Sequence, residues 1–120
     1  MELLLPKYLY HLVPQTAYNK YYDGEFYDCR FKIDWGGNLP YIHTTPNKKQ
    51  LKLRVADKNW AHLPKEINFV ILKIFPGKVK SKITFKNIGG FSYFHIWGAL
   101  DKNTFEIKKI ERDSSGKFVL

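Results

Sequence analysis

At 120 residues the chain suits a single domain, 1–120, with one core. Its 44% hydrophobic and 17% aromatic content supplies that core, and a charged share of 26% excludes a disordered polyampholyte. The net charge of +9 is spread over both halves, so no basic tail carries it. It admits a nucleic acid, an anionic lipid or a phosphorylated small molecule as partner without choosing among them.

The opening Met1-Glu2-Leu3-Leu4-Leu5-Pro6 is too short for a signal peptide or a membrane span, and no apolar run of roughly 18 residues follows. A cytoplasmic monomer that does not enter membranes is expected. Residues 8–13, aromatic and aliphatic and stopped by Pro14, read as a strand. One or two helical turns follow over 15–22. Residues 24–40, with Gly36-Gly37-Asn38 and Pro40, read as a long loop, and long loops in small domains tend to be functional.

Tyr41-Ile42-His43-Thr44 reads as a second strand. Thr45-Pro46 then opens the main helix, roughly 46–61: threonine caps free N–H groups and proline is tolerated at the first helical position. Leu51, Val55 and Trp60 follow helical spacing, and Pro64 ends it. The rest is strand. Residues 68–75 form a near-continuous apolar run fit for a central strand. Residues 78–86 alternate, with Val79, Ile83 and Phe85 against Lys80, Lys82 and Lys86, as a strand with one wet, basic face would. Ile88-Gly89-Gly90 is a turn, 93–100 an aromatic strand, 104–110 another alternating strand, and Ser114-Ser115-Gly116 a last turn. The expected fold is α+β: a twisted, mainly antiparallel sheet of about six strands with one main helix.

Three of the four histidines, His11, His43 and His95, fall in predicted strands beside aromatic residues; His62 falls at a helix end. A strand histidine is ordinarily a half-buried imidazole bonded to a carbonyl. Three of them on one small sheet could instead converge on a cleft as acid, base or donor to a ligand hydroxyl. Three imidazoles could also hold zinc with an open position, but no close pair such as His-x-His supports it, and no metal is expected. The lone Cys29 permits no internal disulfide or cysteine-based zinc site, and as a nucleophile it would need a helix N-terminus or an adjacent base, whereas it lies in the loop between Asp28 and Arg30. Phosphate-binding glycine loops and the nucleophile elbow of serine hydrolases are absent from the sequence. Aromatics alternate with basic residues at Lys20-Tyr21-Tyr22 and over 26–35, where rings could stack on bases or simply pin the loop.

Taken in order, Leu9-Tyr10-His11-Leu12-Val13, Tyr41-Ile42-His43-Thr44-Thr45, Gln50, the aliphatic run 69–74, Phe94-His95-Ile96-Trp97-Gly98-Ala99-Leu100 and Gly116-Lys117-Phe118 form a pattern. It resembles the family catalogued as domain of unknown function 952, grouped with the ADP-ribosyltransferase-like fold. The resemblance implies a cleft for NAD or another phosphorylated nucleotide. His11 would bond the NAD ribose, and His43 would stand against nicotinamide or phosphate. Tyr10, Thr44 and Thr45 would assist, and His95 would belong to the family's own signature. His11, His43 and His95 are then the candidate catalytic residues of an ADP-ribosyl or 2′-phosphoryl transferase.

Where that family carries a glutamate, this chain has Lys86, in Ile83-Thr84-Phe85-Lys86. A lysine opposes the positive charge that builds on the ribose during nicotinamide loss, and it suits a phosphate instead. Glu106 or Glu111 could substitute. A non-catalytic module for a nucleotide, a phosphorylated metabolite or RNA therefore stays open, as does an accessory protein with structural histidines.

Overall fold

In the computed structural model the structure describes residues 4–32, 38–51, 68–112, 114 and 118–119. The first strand, β1 (Leu9–Pro14), ends at a proline and runs directly into a short helix, α1 (Gln15–Tyr21). β1 pairs antiparallel with β4 (Phe69–Ile74), which in turn pairs with β8 (Phe105–Lys109), giving a sheet of order β1-β4-β8. The second three-stranded sheet has order β3-β6-β5, from β3 (Ile42–Thr44), β6 (Phe91–Ile96) and β5 (Ile83–Ile88). β2 (Phe26–Tyr27) pairs with β7 (Leu100–Asp101), and β9 (Glu111–Arg112) with β10 (Phe118–Val119). The architecture is α+β with mostly antiparallel sheets and few helices.

The expectation of one sheet of about six strands is corrected: the strands divide into small sheets. Between β1 and β3 a single pair survives, Tyr10 and Thr45, which exchange backbone hydrogen bonds of 2.7 and 2.9 Å. One feature stops the ladder there. Backbone groups alternate sides along a strand, so His43 turns its carbonyl toward β1 as Thr45 does. That carbonyl accepts from the His11 side chain, Nδ1 at 2.8 Å, in place of a backbone donor.

The main core lies between the sheets. Leu9 and Val13 of β1, Val70, Leu72 and Ile74 of β4, and Ile42, Phe94 and Ile96 of the second sheet meet there with Tyr18, Tyr27, Leu100 and Phe105. Thr44, fully buried, satisfies its hydroxyl on the Phe94 carbonyl at 2.7 Å. Gly89 and Gly90 both have positive φ, 58° and 85°, in the two-residue turn joining β5 to β6, a conformation glycine adopts without strain.

Most elements stand near their expected places. Residues 48–51 form a helical turn, and the remainder of the expected helix at 46–61 lies outside the described residues. Two boundaries move. The alternating pattern over 78–86 is strand only from Ile83, because Pro76–Lys78 forms a 3₁₀ turn first. The aromatic strand over 93–100 breaks at Trp97–Gly98, where Gly98 lies against Ser81. The long loop over 24–40 contains β2. No helix among the described residues is long and apolar enough to cross a membrane.

Candidate functional site: an imidazole and aromatic face

The inward and outward faces of the β3-β6-β5 sheet differ sharply. Ile42, Thr44, Phe94 and Ile96 face the core. The residues between them, His43 on β3 and Tyr93, His95 and Trp97 along and just beyond β6, face the other way, with Thr84 and Lys86 across from His95 and Tyr93 on β5. Tyr41, just before β3, completes the row.

His43 and His95 are direct cross-strand partners. The alternation that aims the His43 carbonyl at β1 makes this a non-hydrogen-bonded backbone pair, the kind that brings side chains closest. His43 Nδ1 and His95 Nε2 accordingly lie 3.2 Å apart and share one hydrogen bond. Tyr41 stacks on His95 with ring centroids 3.8 Å apart and planes 12° from parallel. Trp97 meets Tyr41 edge-on at 5.1 Å, and Tyr93 lies 4.6 Å from His43. Five rings thus run side by side across two strands. The Trp97 indole N–H donates to Thr84 Oγ1 at 2.8 Å, which fixes that ring although 40% of the residue is exposed.

The electrostatics of this face are cationic. Burial, and after it the positive charge of Lys86, lower the His95 pKa from its ordinary value, so the ring favours its neutral form. A carboxylate, Asp28, is linked to the edge of the site through Arg30, but it is committed to that arginine. Arg30 holds both Asp28 oxygens, Nε at 2.9 Å and the terminal nitrogen at 3.0 Å, and reaches the Trp97 carbonyl at 3.3 Å. Burial raises the Asp28 pKa, but the Arg30 side-chain and backbone donors outweigh it and leave the group below its ordinary value. The pair clamps the segment after β2 to the end of β6.

His11 occupies a different environment. It is 5% exposed and lies in the core rather than on the ring face. Its Nδ1 meets the His43 carbonyl, which can only accept, so Nδ1 carries the proton. In the neutral ring Nε2 is then the acceptor for the Tyr27 hydroxyl at 2.8 Å, with the Cys29 thiol 3.9 Å away as a weak second donor. Burial pushes the Tyr27 phenol far up, so it is a neutral donor. Burial also raises the Cys29 thiol, which argues against a thiolate nucleophile.

The sequence-predicted site residues are therefore distributed over several places. His43 and His95 touch, with Lys86 acting on His95. His11 reaches this pair through the His43 backbone. Thr44 faces the core, and Thr45 is buried at the sheet seam with its hydroxyl directed to the Asn47 carbonyl at 3.3 Å. Tyr10 alternates with His11 and so lies on the opposite face of β1, beside Lys48. Glu106 lies on the outer face of β8, cross-strand from Lys73, and Glu111 begins β9, so neither is in the β3-β6-β5 sheet.

Tyr41, Tyr93, Trp97 and Thr84 were missed as site residues. Alternation with His43 and His95, and for Thr84 with Lys86, was the signal that could have found them. The other aromatic clusters serve the fold: Tyr22 stacks on Tyr18 at 5.2 Å, and Tyr21 takes Lys20 and Lys32 over its ring. No cluster of three metal-ligating side chains occurs among the described residues.

The fold is similar to that of protein CC0527 from Caulobacter crescentus, solved by X-ray crystallography. The TM-score is 0.67 at 13% sequence identity, over 93% of each chain. A double mutant of the same Caulobacter protein gives a TM-score of 0.66 with the same identity and coverage. No family model matches the sequence, and no curated protein matches it. At this identity the likeness concerns the fold.

Proposed function

We propose that the chain is a nucleotide-binding domain of the ADP-ribosyltransferase-like kind, as its resemblance to domain of unknown function 952 implies. Its ligand, NAD or another phosphorylated nucleotide, lies on the β3-β6-β5 face. The carrying observation is the row Trp97–Tyr41–His95–His43–Tyr93, with Lys86 beside it. Aromatic and imidazole rings offer a stacking surface for a base or nicotinamide, worth about 1–3 kcal/mol per stacked ring. Lys86 supplies a cation for a phosphate, and the His43–His95 pair supplies an N–H or a lone pair for a ribose hydroxyl.

His11 acts here as a positioning residue. It holds the His43 backbone, and with it the height of His43 beside His95. Binding is the better supported reading because Asp28 is tied to Arg30 and Lys86 stands in place of the glutamate. A carboxylate to stabilise positive charge on the ribose is thus not supplied by either position. One observation favours chemistry as well. A His95 kept neutral and hydrogen-bonded to a second imidazole is a suitable proton acceptor. A 2′-phosphoryl transfer, in which a ribose or phosphate proton must move, fits this pair better than nicotinamide cleavage.

The test is titration of the full chain with NAD, ADP-ribose, nucleoside 2′-phosphates and short RNA. Thermal shift and calorimetry would be followed, with products read by mass spectrometry. We expect saturable binding of a nucleotide, weakened roughly tenfold or more in Tyr41→Ala and in Lys86→Glu, since about 1.4 kcal/mol corresponds to a factor of ten. Turnover of the bound nucleotide, lost in His95→Gln with binding retained, would establish the transferase. Binding to none of the probes, or binding indifferent to both substitutions, would overturn the proposal.

A further inference from the structure

The outer face of the β1-β4-β8 sheet carries a second, separate feature. Alternation along these strands puts Tyr10, Ile71, Lys73 and Lys108 on the side away from the main core, with Glu106 beside them on β8. They line a cavity of about 250 Å³ together with Lys48, Ile107, Lys109 and Ile110. Lys48 comes from the helical turn at 48–51, its Nζ 5.5 Å from the Tyr10 ring centre.

Three properties define what could enter. The first is charge: four lysines against Glu106 leave a local excess of three positive charges in the lining. Glu106 is cross-strand from Lys73, yet the ion pairs among the described residues, Arg30–Asp28 and Lys102–Glu25, lie elsewhere. Lys73 instead sits over the Tyr8 ring at 4.1 Å, which positions its ammonium group without neutralising it. The second is the lining: Ile71, Ile107 and Ile110, with the Tyr10 ring, are apolar, so the cavity accepts carbon as well as charge. The third is size. Pockets for drug-sized ligands run to about 300–1,000 Å³, and this one falls just below that range, which favours a small molecule over a polymer strand.

We infer that this cavity is an anion site for a small phosphorylated metabolite, a phosphate monoester on a short carbon skeleton. Its phosphate meets Lys48, Lys73 and Lys108, and its carbon part lies against Ile71 and Tyr10. The site is distinct from the ring face, which belongs to the other three-stranded sheet, and it does not depend on the nucleotide reading.

The experiment is a two-dimensional amide NMR titration of the intact protein with glycerol 3-phosphate and, separately, inorganic phosphate and a short single-stranded RNA. We expect glycerol 3-phosphate to shift amides of Tyr10, Ile71 and Lys108 saturably, and more tightly than inorganic phosphate does. Double substitution Lys73→Gln and Lys108→Gln should weaken it at least tenfold, whereas Lys80→Gln, an exposed lysine outside the lining, should leave it unchanged. Shifts scattered over all lysines without saturation, or indifferent to the double substitution, overturn the site. RNA displacing glycerol 3-phosphate at lower concentration overturns the small-molecule assignment.

Discussion

Replacing Tyr27 by Phe tests whether His11 is held by the protein rather than waiting for a ligand. The change removes one oxygen. Tyr27 is fully buried and His11 nearly so, and their contact is a 2.8 Å hydrogen bond to Nε2. Removing one partner of a buried pair leaves the other with its desolvation penalty, about 1–3 kcal/mol. The Cys29 thiol, 3.9 Å from Nε2, is a weak donor and recovers little of that. We therefore expect a loss of about 2 kcal/mol. For a domain of this size one kcal/mol moves Tm by about 3–5 °C, so the melting point should fall by about 6–10 °C. Urea unfolding gives the free energy directly. A His11→Leu variant should cost more, because it strands the Tyr27 hydroxyl and the His43 carbonyl together. The double variant, having apolar groups at both ends, should then cost less than the two singles added, with a coupling of about 1–2 kcal/mol. A neutral Tyr27→Phe, or strictly additive singles, would refute the buried network and return His11 to the role of an available ligand donor.

Two further outcomes follow from the same structure. A Cβ placed on Gly98 would lie 2.6 Å from Ser81 Cβ and closer still to its hydroxyl, so Gly98→Ala should destabilise by about 1–3 kcal/mol. Adding Ser81→Gly should recover much of that loss in urea melts; if it recovers none, the close approach is not the reason for this glycine. For pH, His95 has its pKa lowered in the fold by burial and Lys86, so below about pH 6.5 the unfolded chain binds the additional proton. Its stabilising contribution is complete above that pH and is lost as pH falls toward the folded value. Tm should therefore drop between pH 8 and 5.5, and the drop should be smaller in His95→Gln. Equal slopes in the two proteins would count against it.

The sequence was legible wherever local patterning decides the outcome. The run 69–74 became β4, the Gly89-Gly90 pair became the hairpin turn, and the short helical stretch after Pro14 became α1. Sheet division was not legible, because it turns on one side chain. Nothing in Tyr10-His11-Leu12 announces that the imidazole of residue 11 will take a carbonyl 32 positions away and replace a rung of the ladder. The site was half legible for a related reason. His43 and His95 could be singled out by type, but their contact depends on register. Tyr41 and Trp97 read only as aromatics of predicted strands, since the face each takes depends on the same register. Tyr10, adjacent to His11 in sequence, stands on the other side of the sheet, since neighbours along a strand face opposite ways.

That alternation also explains how so small a domain can carry two different surfaces. β1 and β3 meet at one rung, and beyond it the sheets are free to diverge. One sheet then turns a ring-rich face outward while the other turns out lysines around Tyr10. Because β3 can pair only once with β1, its position depends heavily on the His11–His43 contact and on Thr44, whose hydroxyl ties it to Phe94. Disturbing His11 should consequently loosen β3 against β1 before it disturbs the β1-β4-β8 ladder, whose hydrogen bonds do not involve that imidazole. Hydrogen exchange in Tyr27→Phe should show this as faster exchange at Thr45, donor of one of the two bridge bonds, with β4 amides much less affected. If β4 and Thr45 accelerate together, the two sheets unfold as one unit and the seam does not govern the site.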